Sequence, residues 1–347
     1  MKGPLDAAVP ALTVRRLPPS EWPVLADGAR ASLGGLVYGV LDAAHAKASG
    51  GDAVHATVLS PAGPMVDVWC SDGPLVSGRC GGVHWRHNSH WLYGAIELDE
   101  TVEREGLAAL AQRAYGDVFA TLDRTGFAHP LRLWNYLPAI NADGGGMERY
   151  RQFNSGRQIA FRGAGRSAFD GPPAACAIGT RAGPFCVRFL AGRVPAVPLE
   201  NPRQLPAYRY PADYGPRSPT FSRAALVDVG AGQLALLISG TASIVGHVSM
   251  HPGDAAAQTR ETLANLQEVI KVAQARGTAR FDLSTLECVV YVRHAEQLPQ
   301  IRAVLEGTVG AQARAVQTAV YLEADICRSD LLVEIEAHAM ARGRMLA

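Results

Sequence analysis

Apolar positions recur at helical spacing over two long segments. Between Thr101 and Arg124, Leu107, Leu110, Ala114, Val118 and Leu122 share one face, and Gly126 is placed to close the helix. Between Asp254 and Arg276, Leu263, Leu266, Ile270 and Ala273 do the same, with Asp254 suited to the N-cap and Gly277 to the C-cap. An apolar strand ending at a glycine precedes each helix, Leu92-Tyr93-Gly94 in one case and Leu237-Ile238-Ser239-Gly240 in the other. A strand is predicted after each, Leu131 to Tyr136 and Cys288 to Arg293, followed by a short helix around 147–153 and around 295–309. Each set then closes with a strand pair, 175–190 and 315–339. The same element order thus occurs twice, about 150 residues apart, which predicts an α+β fold of two halves, 1–195 and 196–347, from an internal duplication. Chance recurrence of a common α+β order is the alternative.

Between the halves, 194–219 carries seven prolines together with Tyr208, Arg209, Tyr210 and Tyr214. Disordered linkers avoid aromatics, so this segment is either a rigid wall over a pocket or an inter-domain clamp. The longest nearly uncharged stretch, 224–246, is broken by Asp228, Gln233 and a Gly-Ala-Gly turn, and reads as a buried hairpin rather than a membrane span. The start of the chain has no apolar run after its lysine and two early prolines, which reads as no signal peptide. The 33 basic residues against 32 acidic ones leave a net charge of +1, so neither nucleic acid nor anionic lipid is an expected partner. Six cysteines without a C-x-x-C pair read as reduced, mostly buried thiols. A soluble, cytoplasmic protein is expected.

The last strand holds the most informative chemistry. Alternation over 332–338 puts Val333, Ile335 and Ala337 on one face and Glu334, Glu336 and His338 on the other. If the polar face is solvated, this is an ordinary exposed edge. If it is enclosed, the two carboxylates raise each other's pKa, desolvation adds to the effect, and one becomes a proton donor near neutral pH. His84, His87 and His90 recur at intervals of three, but alternation would split them and no carboxylate is close; a loop of hydrogen-bonded histidines is the expectation. His247 and His251 precede Pro252-Gly253, so they fall before the helix starts, in its capping loop. No metal site is expected.

The second half resembles the Rid/YjgF-like family, small trimeric α+β barrels that include imine deaminases. The likeness rests on Tyr214-Gly215-Pro216, the Ile238-Ser239-Gly240 strand end, the helix from Asp254 and Val333-Glu334-Ile335-Glu336-Ala337. It implies that Glu334, the first Glu of the final strand, lies in a ligand site. The arginine with which those deaminases hold a substrate carboxylate corresponds to Ala319, which counts against imine deamination.

Over most of its length the chain resembles the chorismatases. The matching segments are LRLWNYLPAIN (131–141), ERYRQFNSGR (148–157), NPRQLPAYRYPADYGPRSPTFSRA (201–224) and SGTASIVGHVSMHPGD (239–254), followed by the VEIEA strand. The resemblance implies removal of the enolpyruvyl group of chorismate as pyruvate, with neither a metal nor an organic cofactor. Cleaving that enol ether requires protonation of its terminal methylene, for which Glu334 is the expected acid, with Glu336 or His338 raising or relaying its proton. Chorismate is a dianion, so the site needs at least two cations or equivalent donors. Arg157, Arg217, Arg223 and Arg293 are the candidates by motif, with Tyr208 and Tyr214 as hydroxyl donors and Gly240-Thr241 as backbone and hydroxyl donors. At Cys327 the chain resembles the 3-hydroxybenzoate-forming branch, to which the resemblance gives a cysteine there, rather than the hydrolytic branch with its small alanine-like residue, so Cys327 favours 3-hydroxybenzoate. It is either a catalytic-pocket thiol or a small buried core residue. The implied activity is 3-hydroxybenzoate and pyruvate formation. Hydrolysis to a dihydroxycyclohexadiene carboxylate, mixed 3- and 4-hydroxybenzoate, and a non-catalytic small-ligand-binding module are the rivals. A monomer or small homo-oligomer fits equally.

Overall fold

The computed structural model describes residues 9–22, 31–39 and 53–346; positions 1–8, part of the start read above as no signal peptide, lie outside them. The second long amphipathic segment forms the helix Ala255–Gln274, whose first turn is capped by Asp254 accepting from the Ala257 N–H. Its C-cap is Ala275, two residues before the glycine expected there. The first segment divides in two, Glu100–Glu103 and Leu107–Thr125. Arg104 turns left-handed at φ 55° and Gly106 becomes a new N-cap, so the polar turn before Leu107 does not join the main helix. Gly126, at φ 73°, closes it as the sequence predicts. Each fully buried Leu or Val on its inner face contributes roughly 1.5–3 kcal/mol.

Of the predicted short helices, the second forms where expected, a 3-10 turn Ala295–Gln297 leading into the helix, and the first starts near its expected place but runs on. The first runs Arg149–Gly163, much longer than expected, and the second Leu298–Val309. The closing pair of the second half begins with a helical turn, Arg314–Gln317, before strands Val320–Glu323 and Val333–Arg342. The uncharged stretch is a hairpin of Ala224–Asp228 and Gln233–Ala242, turning through Gly230, Ala231 and Gly232, all at positive φ.

Two large sheets share one plan. The first orders its strands Ala174–Thr180, His129–Pro138, Phe185–Gly192, Trp91–Leu98, Val83–His87 and Val76–Cys80. The second orders Thr57–Val58, Val320–Glu323, Glu287–Val292, Val333–Arg342, Gln233–Ala242, Ala224–Asp228 and Val197–Leu199. Apart from the added Thr57–Val58 edge, the orders correspond strand for strand, and in each the strand after the long helix pairs in parallel with the next strand along the chain. A third sheet of Leu12–Leu17, Met65–Ser71, Ala31–Tyr38 and Ala53–Val54 has no counterpart in the sequence reading.

Each large sheet packs one face on its two helices. The opposite faces of all three sheets meet in one shared core, in which Trp69, Trp134, Tyr136, Leu237 and Tyr291 pack together. Polar groups bind the sheets as well. Arg16 pairs with Asp67 at 2.7 Å and donates to the carbonyls of Cys288 in the second sheet and of Thr318, which caps the Arg314–Gln317 turn. Ser239 Oγ donates to Ser222 O at 2.6 Å and accepts from Ala175 N at 2.9 Å, which fastens the second half to the first. The polar face of the final strand is therefore enclosed.

Candidate active site

A cavity of about 320 Å³ opens where the halves meet. Glu148, Tyr150 and Arg151, around the start of the Arg149–Gly163 helix, form one wall. Tyr210, Tyr214, Phe221 and Arg223 from the proline-rich segment and its continuation form a second. Gly240 at the end of its strand, the loop carrying Cys327 and Arg328, and Glu334 complete it. The proline-rich segment is thus a pocket wall, the first of its two sequence readings.

Glu334 is buried on the final strand, and burial pushes its carboxyl up to about 8. The Glu336 carboxylate acts in the same direction, while Arg132, Arg223 and Arg293 oppose it. The room for this carboxyl comes from Gly240, where a Cβ would lie 1.8 Å from Glu334 Oε1. The pairing with the final strand also shifts register between Ile238 and Thr241, so the strand is irregular where it meets the acid. Cys327 Sγ lies 4.0 Å from Glu334 Oε2, and burial pushes this thiol up to about 12, which keeps it neutral at ordinary pH.

Two buried or half-buried guanidinium groups border the cavity. Arg223 Nη2 donates to Leu205 O and the Tyr210 hydroxyl, both at 2.9 Å, while its Nε has no partner among the described residues. Arg328 lies 4.2 Å from the Tyr214 ring centre and donates through Nη1 to His247 O at 2.8 Å. Its Nη2 is buried and unpartnered among the described residues. Both guanidinium groups line the cavity and bring positive charge to it, which favours an anionic ligand there. The enclosure can therefore hold an anion beside a protonated carboxyl.

Residues 67–191 match a family model described as Chorismatase FkbO/Hyg5-like, N-terminal. The chain is 39% identical over 295 residues to a 3-hydroxybenzoate synthase of Streptomyces hygroscopicus, covering 82% of this chain and 84% of that protein. The chain belongs to the chorismatase family. A chorismatase of Streptomyces rapamycinicus is 37% identical over the same shares of the two chains. A chorismatase crystal structure superposes with a TM-score of 0.82 at 30% identity, covering 96% of this chain and all of that one. Like the relatives that carry these names, this chorismatase is an enzyme.

The fold brings Glu334, Cys327, Tyr214, Arg223 and Gly240 to the cavity and leaves five other sequence candidates off its wall. Arg157 is turned into the first half, over the Phe153 ring at 4.8 Å and bonded to Asn154. Tyr208 sits behind the wall, where its carbonyl accepts from Ser218 Oγ. Arg217 donates to Gln158, and the Thr241 hydroxyl donates to Ser239 O at 2.9 Å. Arg293 uses all five of its N–H groups on the protein: Asp325, Asn141, and the carbonyls of Ile326, Arg328 and Leu331. It builds the loop that carries Cys327 and Arg328 and has no donor left for substrate. Tyr214 likewise spends its hydroxyl on His247 O at 2.6 Å and presents its ring to Arg328.

Arg293→Met would leave three carbonyls of that loop without this donor, and a loss of about 2–4 kcal/mol is expected. Denaturant unfolding measures it, and an unchanged midpoint would contradict the role. Arg328 was not singled out by sequence reasoning; its one signal is adjacency to Cys327. Among the described residues no group of three or more His, Cys, Asp or Glu is placed to hold a metal. His87 stacks on Trp85 at 5.1 Å, and His251 meets Glu261. No helix among the described residues is long and apolar enough to cross a membrane.

Proposed function

We propose that this chorismatase converts chorismate to 3-hydroxybenzoate and pyruvate, with Glu334 as the general acid. The observation that carries the reading is a single buried carboxyl, raised to about 8, inside a cavity bordered by two arginines. At neutral pH this group is mostly protonated and can give its proton to the methylene carbon of the enol ether. The resulting oxocarbenium-like centre weakens the bond between the ring carbon and the ether oxygen. The neighbouring ring hydroxyl displaces pyruvate from the ring, and its released proton returns to the Glu334 carboxylate. The oxygen-bridged ring then rearranges internally to the phenol. The products together contain every atom of chorismate, and the acid is restored without water.

Arg328 and Arg223 are assigned to the substrate's carboxylates, and Tyr210 and Phe221 to the faces of its ring. Cys327 is assigned the exclusion of water from the space beside Glu334. A neutral thiol is a poor nucleophile, which favours a steric role over a covalent one. The test is incubation of the protein with chorismate, without added metal, and separation of products by chromatography with mass detection. Pyruvate with 3-hydroxybenzoate is expected; no turnover above spontaneous decay would overturn the reading. Cys327→Ala is expected to move product toward the dihydroxycyclohexadiene carboxylate, since the space left beside the acid admits water. An unchanged product ratio would remove Cys327 from this role.

The matching strand orders of the two large sheets support descent of both halves from one Rid/YjgF-like unit by duplication. A small-molecule enzyme of the cytoplasm, acting as a monomer or small homo-oligomer without nucleic acid or membrane, is the setting this reading takes.

A further inference from the structure

Beside Glu334, on the same strand face, stands a second buried carboxylate for which the reaction as written has no use. Glu336 is two residues further on, 3% exposed, and the rise of an extended chain sets the two Cα atoms roughly 7 Å apart. It is held in place from two sides. Arg132 Nη2 donates to its Oε2 at 2.5 Å, and the Tyr291 hydroxyl donates to its Oε1 at 3.1 Å, itself 3.0 Å from the Tyr136 hydroxyl. Cys176 lies between the carboxylates: its thiol faces Glu336, and its Cβ would be 3.3 Å from a Cβ on Gly240, the position that also meets Glu334.

Burial pushes the Tyr38, Tyr136 and Tyr291 phenols and the Cys176 thiol well above their usual values, so all are neutral. Burial also holds His338, next on the face, below its usual value. Past Tyr38 and His338 lie the charged Arg16, Asp67 and Glu287, with Arg16 paired to Asp67 at 2.7 Å and to Glu287 at 3.8 Å. On the cavity side Arg223 and Arg293 face Glu334, along with the neutral Cys327. Arg132 is the cation paired with Glu336 itself.

We infer that Glu336 is a positioning residue: its charge, immobilised by Arg132 and Tyr291, keeps the proton on Glu334 until substrate arrives. This rests on the reading of Glu334 as the acid. The sign follows from the order of groups along the face. Glu336 adjoins Glu334 on the strand face and acts on it more strongly than Arg132 does, so the pair presents its negative end to the acid. Like charges on neighbouring same-face strand positions in a protein interior shift a titration by about one to two pH units. A neutral residue in place of Glu336 would leave Arg132 unopposed and draw the proton off Glu334.

Glu336→Gln and Glu336→Asp in the full chain test this. For Gln, the alkaline midpoint of kcat/KM is expected to fall by about one pH unit or more, so the ratio of activity at pH 8 to that at pH 6 drops about fivefold or more. For Asp, which keeps the charge, the midpoint should stay near that of the parent. The carbonyl band of protonated Glu334, identified by its loss in Glu334→Gln, can be titrated by infrared spectroscopy in the substrate-free protein and should move with the midpoint. A Gln variant whose activity falls equally at every pH, with the band titrating as in the parent, would overturn the inference. Should that variant not fold, Arg132→Gln with Glu336→Gln removes the pair together, and the midpoint and band are still expected to move down; an unmoved band would overturn it. Turnover surviving Glu334→Gln would instead sink the reading of Glu334 as the acid, whatever Glu336 does.

Discussion

Glu334→Gln is expected to lower turnover of chorismate about 10³-fold at neutral pH, within the range that general acids supply. Glutamine keeps the shape and the hydrogen-bonding edge of the protonated acid, so binding should persist while the proton is gone. The expected signature is a collapse of kcat with little change in the affinity measured by direct titration. The parent enzyme should lose kcat/KM above about pH 8, tenfold per pH unit, as the carboxyl ionises. That limb should be absent from the residual activity of the variant. A variant retaining a tenth or more of parental turnover would remove Glu334 from the chemistry.

The same substitution should stabilise the protein, and the sign can be worked out. Burial raises the carboxyl in the folded chain to about 8, whereas in the unfolded chain it titrates near its ordinary value of 4.5. Below the lower value both states are protonated and the site costs nothing through ionisation. Between the two the unfolded state releases a proton that the folded state holds, so stability falls as pH rises and levels off above about pH 8. The cost at the plateau is on the order of 3–5 kcal/mol. Glutamine removes it, so the gap in melting temperature between variant and parent should widen from pH 5 to pH 8. Activity and stability are thus set against each other at one side chain.

What was legible in the sequence is what periodicity controls. The alternation of the final strand put Glu334, Glu336 and His338 on one face, and the structure encloses that face between sheets. Asp254 and Gly126 marked helix ends because capping is local chemistry. The direction of a lone side chain is not local. Arg157 and Arg293 sit in motifs that resemble a substrate site, yet one turns toward Phe153 and the other is saturated by carbonyls of a loop distant in sequence. Arg328 escaped notice for the opposite reason: it lies in a loop without period, and what marks it is its place on the cavity wall, which only folding creates. In the third sheet, Gly34-Gly35 falls inside the strand Ala31–Tyr38, whose pairing shifts register there, and this blurs its alternation. Yet Arg16 and Asp67, buried where that sheet meets the second, both come from it.

Arg328→Met is expected to raise KM for chorismate about 100-fold, because it removes a charged donor from inside the enclosure. Methionine keeps much of the apolar stem against the Tyr214 and Tyr210 rings, which lie 4.2 and 5.2 Å from the guanidinium carbon. What it cannot keep is the fork. One nitrogen fixes the group to His247 O and Ser249 Oγ, and the other is buried without an acceptor among the described residues. A carboxylate in the cavity would meet a guanidinium that the fold has already partly desolvated, so binding gains the charge at a smaller fresh penalty. Arg328→Lys should recover only part of the loss, because a single ammonium cannot serve His247 O and the substrate in the same directions. Both variants should leave the Glu334 titration limb in place, since Arg328 is not among the main groups that set that carboxyl. A KM within threefold of the parent for Arg328→Met would shift the principal carboxylate contact to Arg223, the other guanidinium on the cavity wall.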